Sequence, residues 1–219
     1  TLVEINGNPK LNNVYGGCNK SDVNGSTQIV INGGTITNVY GGNNQEGLIN
    51  NEIIVNINGG SITNLYGGGN RANAYCDTNI TIDNAQIVNT YGGGQEASIN
   101  NINLNVLSNA IITNLYGGGD QGITQGNINI NVESNINTIY GGGNRANVLG
   151  YIYLNIENSN INTCFGGNNI SGKIFGNINI NTTTSNIECL YGGGNQANAN
   201  CTTYVKIINS SIEKIYGGG

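Results

Sequence analysis

An aromatic-Gly-Gly tripeptide that returns at an almost constant interval constrains this chain more than any other feature. Successive copies are 24 to 26 residues apart along the whole sequence. Self-similarity at a fixed period is the signature of repeat architectures, in which one small unit stacks on the next. The chain therefore contains nine such units, whose aromatic residues are Tyr15, Tyr40, Tyr66, Tyr91, Tyr116, Tyr140, Phe165, Tyr191 and Tyr216.

Each unit contains at least two short strand patterns. One is an alternating apolar and polar segment, such as the Ile-Asn-Ile-Asn-Val of residues 128–132, and the other leads into the aromatic residue. Strict alternation is typical of a half-buried strand. Pairs such as Gly33-Gly34 lie between the two patterns, and Gly and Asn tolerate the positive φ of tight corners. A third short strand fits the residues after the glycines.

Units of this length have no room for a helix and cannot bury an apolar face alone, so they must stack. We predict an all-β chain, a parallel β-helix (β-solenoid) with nine coils of about 25 residues, forming one domain over residues 1–219. Like residues of successive coils should lie about 4.8 Å apart, which gives a rod about 43 Å long. The coil length favours a right-handed helix. We expect the chain to be a section of a longer repeat array.

Stacking turns each repeated position into a column along the rod. Four residues before each aromatic residue lies an aliphatic residue, which we expect to form a buried ladder. Two residues before it lies Asn in most units, which predicts a ladder of amide hydrogen bonds. A polar ligand site made of the repeated Asn is the alternative. The two predicted ladders comprise Ile36, Ile62, Ile87, Ile112, Ile136, Ile161, Ile187 and Ile212, and Asn38, Asn64, Asn89 and Asn114.

The direction of the aromatic column is open from the sequence. If the chain turns at the preceding Asn, the residue before each Tyr points inward and the ring points outward. If it does not turn there, the rings stack inside the coil. Outward rings would be candidate ligand-binding residues, because sugars and proteins both bind exposed aromatic surfaces. These candidates are Tyr40, Tyr66, Tyr91, Tyr116, Tyr140, Phe165 and Tyr191.

The composition argues against several classes of function. The chain has no His, and its twelve acidic residues are dispersed, so we expect no catalytic residues, no metal site and no cofactor. Its seven basic residues do not cluster, which argues against binding nucleic acid. No apolar run approaches the roughly 20 residues that span a bilayer, so membrane insertion is not expected.

A few side chains outside the ladders fall near one another in the stack. Arg71 and Glu96 share a position in adjacent units, which predicts a surface ion pair worth under about 1 kcal/mol. Glu188 and Glu213 also share a position, but no pocket is implied there. The five cysteines are too irregular for a disulfide framework. Cys164 and Cys189 lie one unit apart in nearly matching positions, where we expect two buried thiols, with a disulfide as the alternative.

The recurring Gly-Gly-Thr-Ile-Thr-Asn-Val-Tyr-Gly-Gly of residues 33–42, with a close copy over residues 60–68, carries a resemblance. It resembles the repeats of large secreted or surface-exposed β-helix proteins of low-GC Gram-positive bacteria, often described as adhesin-like. In that family the β-helix serves as a stalk, an adhesion surface or a polysaccharide-binding rod. The resemblance implies those roles and an extracellular or cell-surface location, and it transfers no individual functional residue.

Three functions remain open at this point. We favour a non-catalytic structural or adhesion repeat module whose partner is a polysaccharide or a host or cell-surface protein. The first alternative is a carbohydrate-binding module that uses the aromatic column and outward amides. The second alternative is a filament subunit that stacks end to end through uncapped strand edges. The outward amides of the first alternative include Asn103, Asn105, Asn129 and Asn179.

Overall fold

The computed structural model describes residues 1–219 and consists of strands joined by turns, without any helix. Every strand pairing is parallel and joins each residue to its counterpart one coil later. The predicted parallel β-solenoid of nine coils is confirmed. The strands are β1 (Leu2–Ile5), β2 (Lys10–Tyr15), β3 (Thr27–Tyr40), β4 (Glu52–Tyr66), β5 (Asp77–Ile82), β6 (Ala85–Tyr91), β7 (Ile102–Val106), β8 (Ile111–Tyr116), β9 (Ile128–Val132), β10 (Ile136–Tyr140), β11 (Ile152–Glu157), β12 (Asn160–Phe165), β13 (Ile178–Thr183), β14 (Asn186–Tyr191), β15 (Thr203–Ile208) and β16 (Ser211–Tyr216).

Two parallel sheets form two walls of the rod. The first wall contains β1, the first halves of β3 and β4, and then the odd-numbered strands from β5 to β15. The second wall contains β2, the second halves of β3 and β4, and the even-numbered strands from β6 to β16. The right-handed sense of coiling stays a prediction, which the strong right-handed preference of parallel crossovers supports.

The corner between the two walls is built from residues with positive φ. Gly34 and Gly60 have φ values of 98° and 96°, and the chain continues as one strand through both corners. Later coils place Asn84 and Asn158 there, each with a φ of 49°. Thr184 occupies the corner of its coil at a φ of 50°, which is unusual for a β-branched residue. The predicted Gly or Asn corner is therefore confirmed, with one threonine among them.

The third side of the rod is held by single bridges. Parallel bridges join Val23 to Ile49 and link Ile99, Thr124 and Val148 in successive coils. Isolated bridges form here instead of the third strand that the sequence suggested. The chain on this side turns through the glycine-rich segment, which leaves too few consecutive extended residues for a strand.

The core is one continuous column of apolar side chains enclosed by the two walls and the third side of the rod. Forty-two buried residues make up this cluster, which extends from Ile5 to Leu190. Within the first wall, Val55, Ile80 and Leu104 lie in one such column and are almost fully buried. Because burying each side chain of this kind contributes about 1.5–3 kcal/mol, the core is the main source of stability.

Four threonines lie in core columns without a partner for their hydroxyl group. Thr78, Thr90, Thr124 and Thr182 are buried, and their Oγ1 atoms make no hydrogen bond. In contrast, Thr27 donates from its Oγ1 to the carbonyl oxygen of Gly41 at 2.8 Å. An unsatisfied buried hydroxyl costs about 1–3 kcal/mol, so these four residues are local weak points of the core.

Replacing such a threonine with valine should stabilise the protein. We expect Thr78→Val to raise the free energy of unfolding by about 1–2 kcal/mol, because it removes an unpaired hydroxyl and keeps the branched shape. Thr27 lies two coils earlier in the same column and provides the matched control. Thr27→Val should not stabilise, since it removes a formed hydrogen bond. Urea denaturation of both variants measures the difference, and equal effects would contradict this account.

Candidate functional site

The aliphatic positions of the second wall form a buried ladder. Ile112 pairs with Ile87 in the coil before and with Ile136 in the coil after. The members from Ile36 to Ile187 are almost fully buried, and Ile212 in the final coil is half-buried. These side chains pack the core and present nothing to a ligand.

The asparagine positions form a hydrogen-bonded ladder, as predicted. The Nδ2 atom of Asn64 donates to the Oδ1 of Asn38 at 2.9 Å, and Asn89 donates to Asn64 in the same way. Asn114 continues the ladder at 3.0 Å. Each amide therefore spends one donor and one acceptor on its own neighbours. The column ends where Thr138 replaces Asn in the next coil.

Further asparagine ladders run along other faces of the rod. On the outer face of the first wall, Asn131 donates to Asn105, and Asn155 donates to Asn131. Behind the aromatic column, Asn70 donates to Asn44 at 2.8 Å. In all these ladders the amide nitrogen of the later coil donates to the amide oxygen of the earlier coil. The amide dipoles are thus aligned along the axis.

The aromatic residues form a single stack along the rod. Neighbouring ring centroids are 4.6 to 5.3 Å apart, and their planes lie within 15° of parallel. Leu65, directly before Tyr66, points into the core. This is the arrangement expected if the chain turns at the preceding Asn, in which the ring points away from the core. The Tyr66 ring nevertheless remains only 6% exposed. The stack is therefore separate from the main core. Its inner rings from Tyr40 to Tyr116 are buried, Tyr15, Tyr140 and Tyr191 are partly buried, and Tyr216 in the last coil is exposed.

Residues that follow the glycines cover the hydroxyl ends of the stacked rings. The Tyr40 hydroxyl donates to the Oε1 of Gln95 at 2.7 Å, two coils further on. Asp120 lies near Tyr66 and Tyr91 in the equivalent position. The chain thus folds back over the column after each Gly-Gly pair. This packing explains why rings that point away from the core are not exposed.

Burial of the stack shifts the acidity of its phenols. It raises the pKa of Tyr40 to about 12, and the neighbouring Tyr15 adds to the rise. Burial is also the main cause of the raised pKa of Tyr66, Tyr91 and Tyr116. The phenols are therefore neutral at any physiological pH and serve as packing groups and hydrogen-bond donors.

The stack offers ligands little ring surface. Its rings face one another along the axis, so both faces of each inner ring are covered by neighbours. A sugar stacks on the face of an aromatic ring, and only ring edges point sideways from the column. Carbohydrate binding by this column stays a prediction. The burial of its faces favours a structural role for Tyr40, Tyr66, Tyr91, Tyr116, Tyr140, Phe165 and Tyr191.

Two ion pairs join charged side chains of adjacent coils. Arg71 and Glu96 make the predicted ion pair, with Nε and Oε2 3.4 Å apart. Arg145 lies 3.5 Å from Asp120 in a second cross-coil pair. Both arginines are about half-exposed, so solvent screening keeps each contribution small.

The cysteines are all free thiols. Cys164 points into the core and pairs with Leu190, whereas Cys189 pairs with Thr163 on the outer side of the same wall. Because the two sulfurs lie on opposite sides of the sheet, they do not approach one another. Burial raises the pKa of the Cys164 thiol to about 12 and that of Cys76 to about 11. Both thiols are therefore unreactive packing groups.

The sequence analysis overlooked a group of exposed aromatic residues that stand outside the repeat. Tyr153 points outward from β11, Tyr151 is exposed directly before that strand, and Tyr204 points outward from β15. The signal was present in the alternating segments. Tyr153 occupies the position that Asn129 fills one coil earlier and Asn179 fills one coil later. A bulky residue in an amide column is such a signal.

The surface of the rod has depressions but no enclosed cavity. The largest depression, of about 520 Å³, is open and is lined by residues such as Asn147, Lys173 and Phe175. No group of three or more His, Cys, Asp or Glu side chains is placed to hold a metal ion. The structure contains no helix that is long and apolar enough to span a membrane. No protein-family model, curated protein or solved structure matches the chain.

Proposed function

We propose that this chain is a non-catalytic structural repeat module of an extracellular or cell-surface protein, acting as a spacer or adhesion surface. One observation carries the proposal: the repeated side chains bind their own copies in the neighbouring coils. Asn64 bonds to Asn38 and Asn89, and Tyr66 stacks on Tyr40 and Tyr91. Side chains engaged in this way extend the rod and are not free to act on a substrate.

The regular shape of the rod supports a non-catalytic role. Coil length varies by only one residue from 25, so no long loop is available to form a lid or a cleft. Enzyme sites usually lie in enclosed pockets with converging polar groups. The depressions on this surface are shallow. Contrary to the expectation from the sequence, Glu188 and Glu213 line one of them together, with a volume of about 280 Å³, but it is an open depression and does not enclose a substrate. The resemblance of residues 33–42 to surface β-helix repeats supports an extracellular location.

A spacer made of equivalent coils should change length without losing its fold. Deleting residues 92–140 removes two coils and joins Tyr91 to Gly141, which is the same junction as in the other coils. We expect this variant to stay folded and to be about 10 Å shorter, because each coil adds about 4.8 Å. Small-angle X-ray scattering measures the maximum dimension, and circular dichroism measures the retained strand content.

An out-of-register deletion provides the control for this experiment. Removing residues 92–128 places strand positions opposite corner positions and should unfold the chain or aggregate it. The proposal of a modular spacer fails if both deletions have the same effect. The forward scattering also tests end-to-end association, which the aligned amide ladders favour. A filament subunit would give a mass above 22.8 kDa that rises with concentration, whereas a constant monomer mass would exclude it.

A further inference from the structure

The outer face of the first wall carries aromatic rings on a surface of amides. In one column of this face, Asn103, Asn129, Tyr153, Asn179 and Tyr204 follow one another from coil to coil. Tyr153 is 38% exposed and Tyr204 is 57% exposed. Tyr153 has further coils on both sides, so its exposure does not depend on the ends of the chain, whereas Tyr204 lies in the last coil, which no later coil covers. Contiguous exposed aromatic surface on a soluble protein usually marks a binding site.

These rings differ from the buried stack because they do not belong to a continuous aromatic column. Tyr153 is flanked along the axis by the shorter side chains of Asn129 and Asn179. Its one aromatic neighbour is Tyr151, which stacks loosely on it with a centroid distance of 6.3 Å and an angle of 28°. Both residues of the pair remain exposed, by 46% for Tyr151 and 38% for Tyr153.

We propose that Tyr151, Tyr153 and Tyr204 form a binding site for a neutral, flat, β-linked polysaccharide. The faces of such sugars carry C–H groups that pack on aromatic rings, and their edges carry hydroxyl groups. The spacer role does not require this site. The two proposals therefore stand or fall separately.

The spacing of the rings fits an extended sugar chain. Tyr153 and Tyr204 occupy the same column two coils apart, which places them about 9.6 Å from one another along the axis. This distance is close to the disaccharide repeat of an extended β-1,4-linked chain. Alternate sugar units of a chain lying along the rod would therefore meet successive rings.

The adjacent column supplies hydrogen-bonding groups for the sugar hydroxyls. Asn155 donates to Asn131, and Asn181 donates to Asn155 at 3.0 Å. Each primary amide has two N–H donors and two acceptor lone pairs, and the ladder uses one of each. The remaining donor and acceptor of each exposed Asn face solvent. The ladder holds these amides in fixed orientations, which lowers the entropy that binding would cost.

The charge of this face favours a neutral ligand. Strands β11, β13 and β15 together contain one acidic residue, Glu157, and one basic residue, Lys206. A site for an acidic polysaccharide would need several cations, and the whole chain carries a net charge of −5. Flat rings beside uncharged amides instead match the mixed apolar and hydroxyl surface of a neutral sugar.

The test is a calorimetric titration of the folded chain with cellohexaose and with chitohexaose. We expect saturable binding to at least one of them, weakened roughly tenfold or more in the double variant Tyr153→Asn with Tyr204→Asn. Asn lies beside both positions in the column, so these substitutions continue the amide ladder and preserve the fold. Circular dichroism and the melting temperature of the variant verify this.

Tyr75 provides the matched control, because it is 61% exposed and lies elsewhere on the third side of the rod. Tyr75→Asn should leave sugar binding unchanged. The proposal is overturned if neither hexasaccharide binds, if the Tyr75 variant loses binding equally, or if oligogalacturonate binds as tightly as the neutral sugars. It is also overturned if light scattering shows that these tyrosines join two copies of the chain.

Discussion

Gly92→Ala should destabilise the protein by about 3 kcal/mol or more, because a methyl group at this position has no space. A Cβ built on Gly92 would overlap the carbonyl oxygen of Gly117 in the next coil and would lie 2.7 Å from the Cγ2 of Ile102. The first of these neighbours is backbone and the second is fully buried, so neither can move away freely. The amide of Gly92 also donates to the carbonyl oxygen of Tyr116 at 2.9 Å, which holds the two coils together.

The same contact recurs at the first glycine after each aromatic residue except Gly217, which has no coil beyond it. Gly41, Gly67, Gly117 and Gly166 would each place a Cβ against the carbonyl oxygen of the equivalent glycine one coil later. The repeated glycine is therefore required by the close approach of successive coils at this turn. A methyl group here pushes two adjacent coils apart. Because the later coils stack on the displaced coil, the effect of one substitution extends along the rod.

Two other glycines separate crowding from backbone conformation. Gly25 has open space around its Cβ position, so Gly25→Ala should change stability by less than about 0.5 kcal/mol. Gly7 also has open space but a φ of 74°, so Gly7→Ala should cost about 1 kcal/mol through backbone strain alone. Urea denaturation of the three variants gives the comparison. A loss for Gly92→Ala no larger than that for Gly25→Ala would refute the close-approach explanation.

The columns of this fold follow from sequence periodicity, because a period of about 25 residues places like residues together wherever the coils stack. Ile112 and Asn64 occupy columns that spacing alone predicts. The covering of the aromatic stack does not follow in this way. The Tyr40 hydroxyl meets Gln95, which is 55 residues away, because the chain turns back over the ring after the glycines. No local pattern specifies the direction of that turn.

The candidate ligand site was not predicted because its residues depart from the repeat. Repeat analysis gives weight to positions that agree between units, and Tyr153 is a position that disagrees with Asn129 and Asn179. The repeated residues hold the coils together, so a residue that departs from the repeat is not needed for stacking and can contribute to binding. Exposed non-repeated residues on a regular face are therefore the better guide to function in this architecture.

Stability should be nearly constant between pH 7 and 9 and should collapse between about pH 10 and 12. Burial raises the pKa of Tyr40 from 10.0 to about 12, so the unfolded chain loses this proton at a lower pH than the folded chain. Above pH 10 the unfolded state therefore binds fewer protons, and the free energy of unfolding falls as pH rises. The stabilisation that this rise represents, on the order of 1–3 kcal/mol after solvent screening, is present below pH 10 and lost by pH 12.

Several groups contribute to this loss in the same direction. Burial also raises the pKa of Tyr66, Tyr91 and Tyr116, so each of these tyrosines adds to the loss of stability above pH 10. Because the whole stability of a typical domain is only about 5–15 kcal/mol, several such losses together are a large fraction of it. The Cys164 thiol, raised from 9.0 to about 12, begins to contribute one pH unit earlier. Circular dichroism against pH measures unfolding, and absorbance at 295 nm measures phenol ionisation.

Phenylalanine substitution isolates the contribution of the tyrosines. Phe165 already lies in the stack, 5.3 Å from Tyr140 and 4.7 Å from Tyr191, so a ring without a hydroxyl group fits the column. We expect the triple variant Tyr40→Phe, Tyr66→Phe and Tyr91→Phe to stay folded to a higher pH than the parent chain, since three ionisable groups are removed and the packing is kept. The difference in absorbance at 295 nm between the parent chain and the triple variant reports the phenols of Tyr40, Tyr66 and Tyr91 without those of the exposed tyrosines. In the parent chain this difference should appear together with unfolding. If it appears near pH 10 while the parent chain stays folded, the stack is open to solvent and the buried aromatic column is wrong.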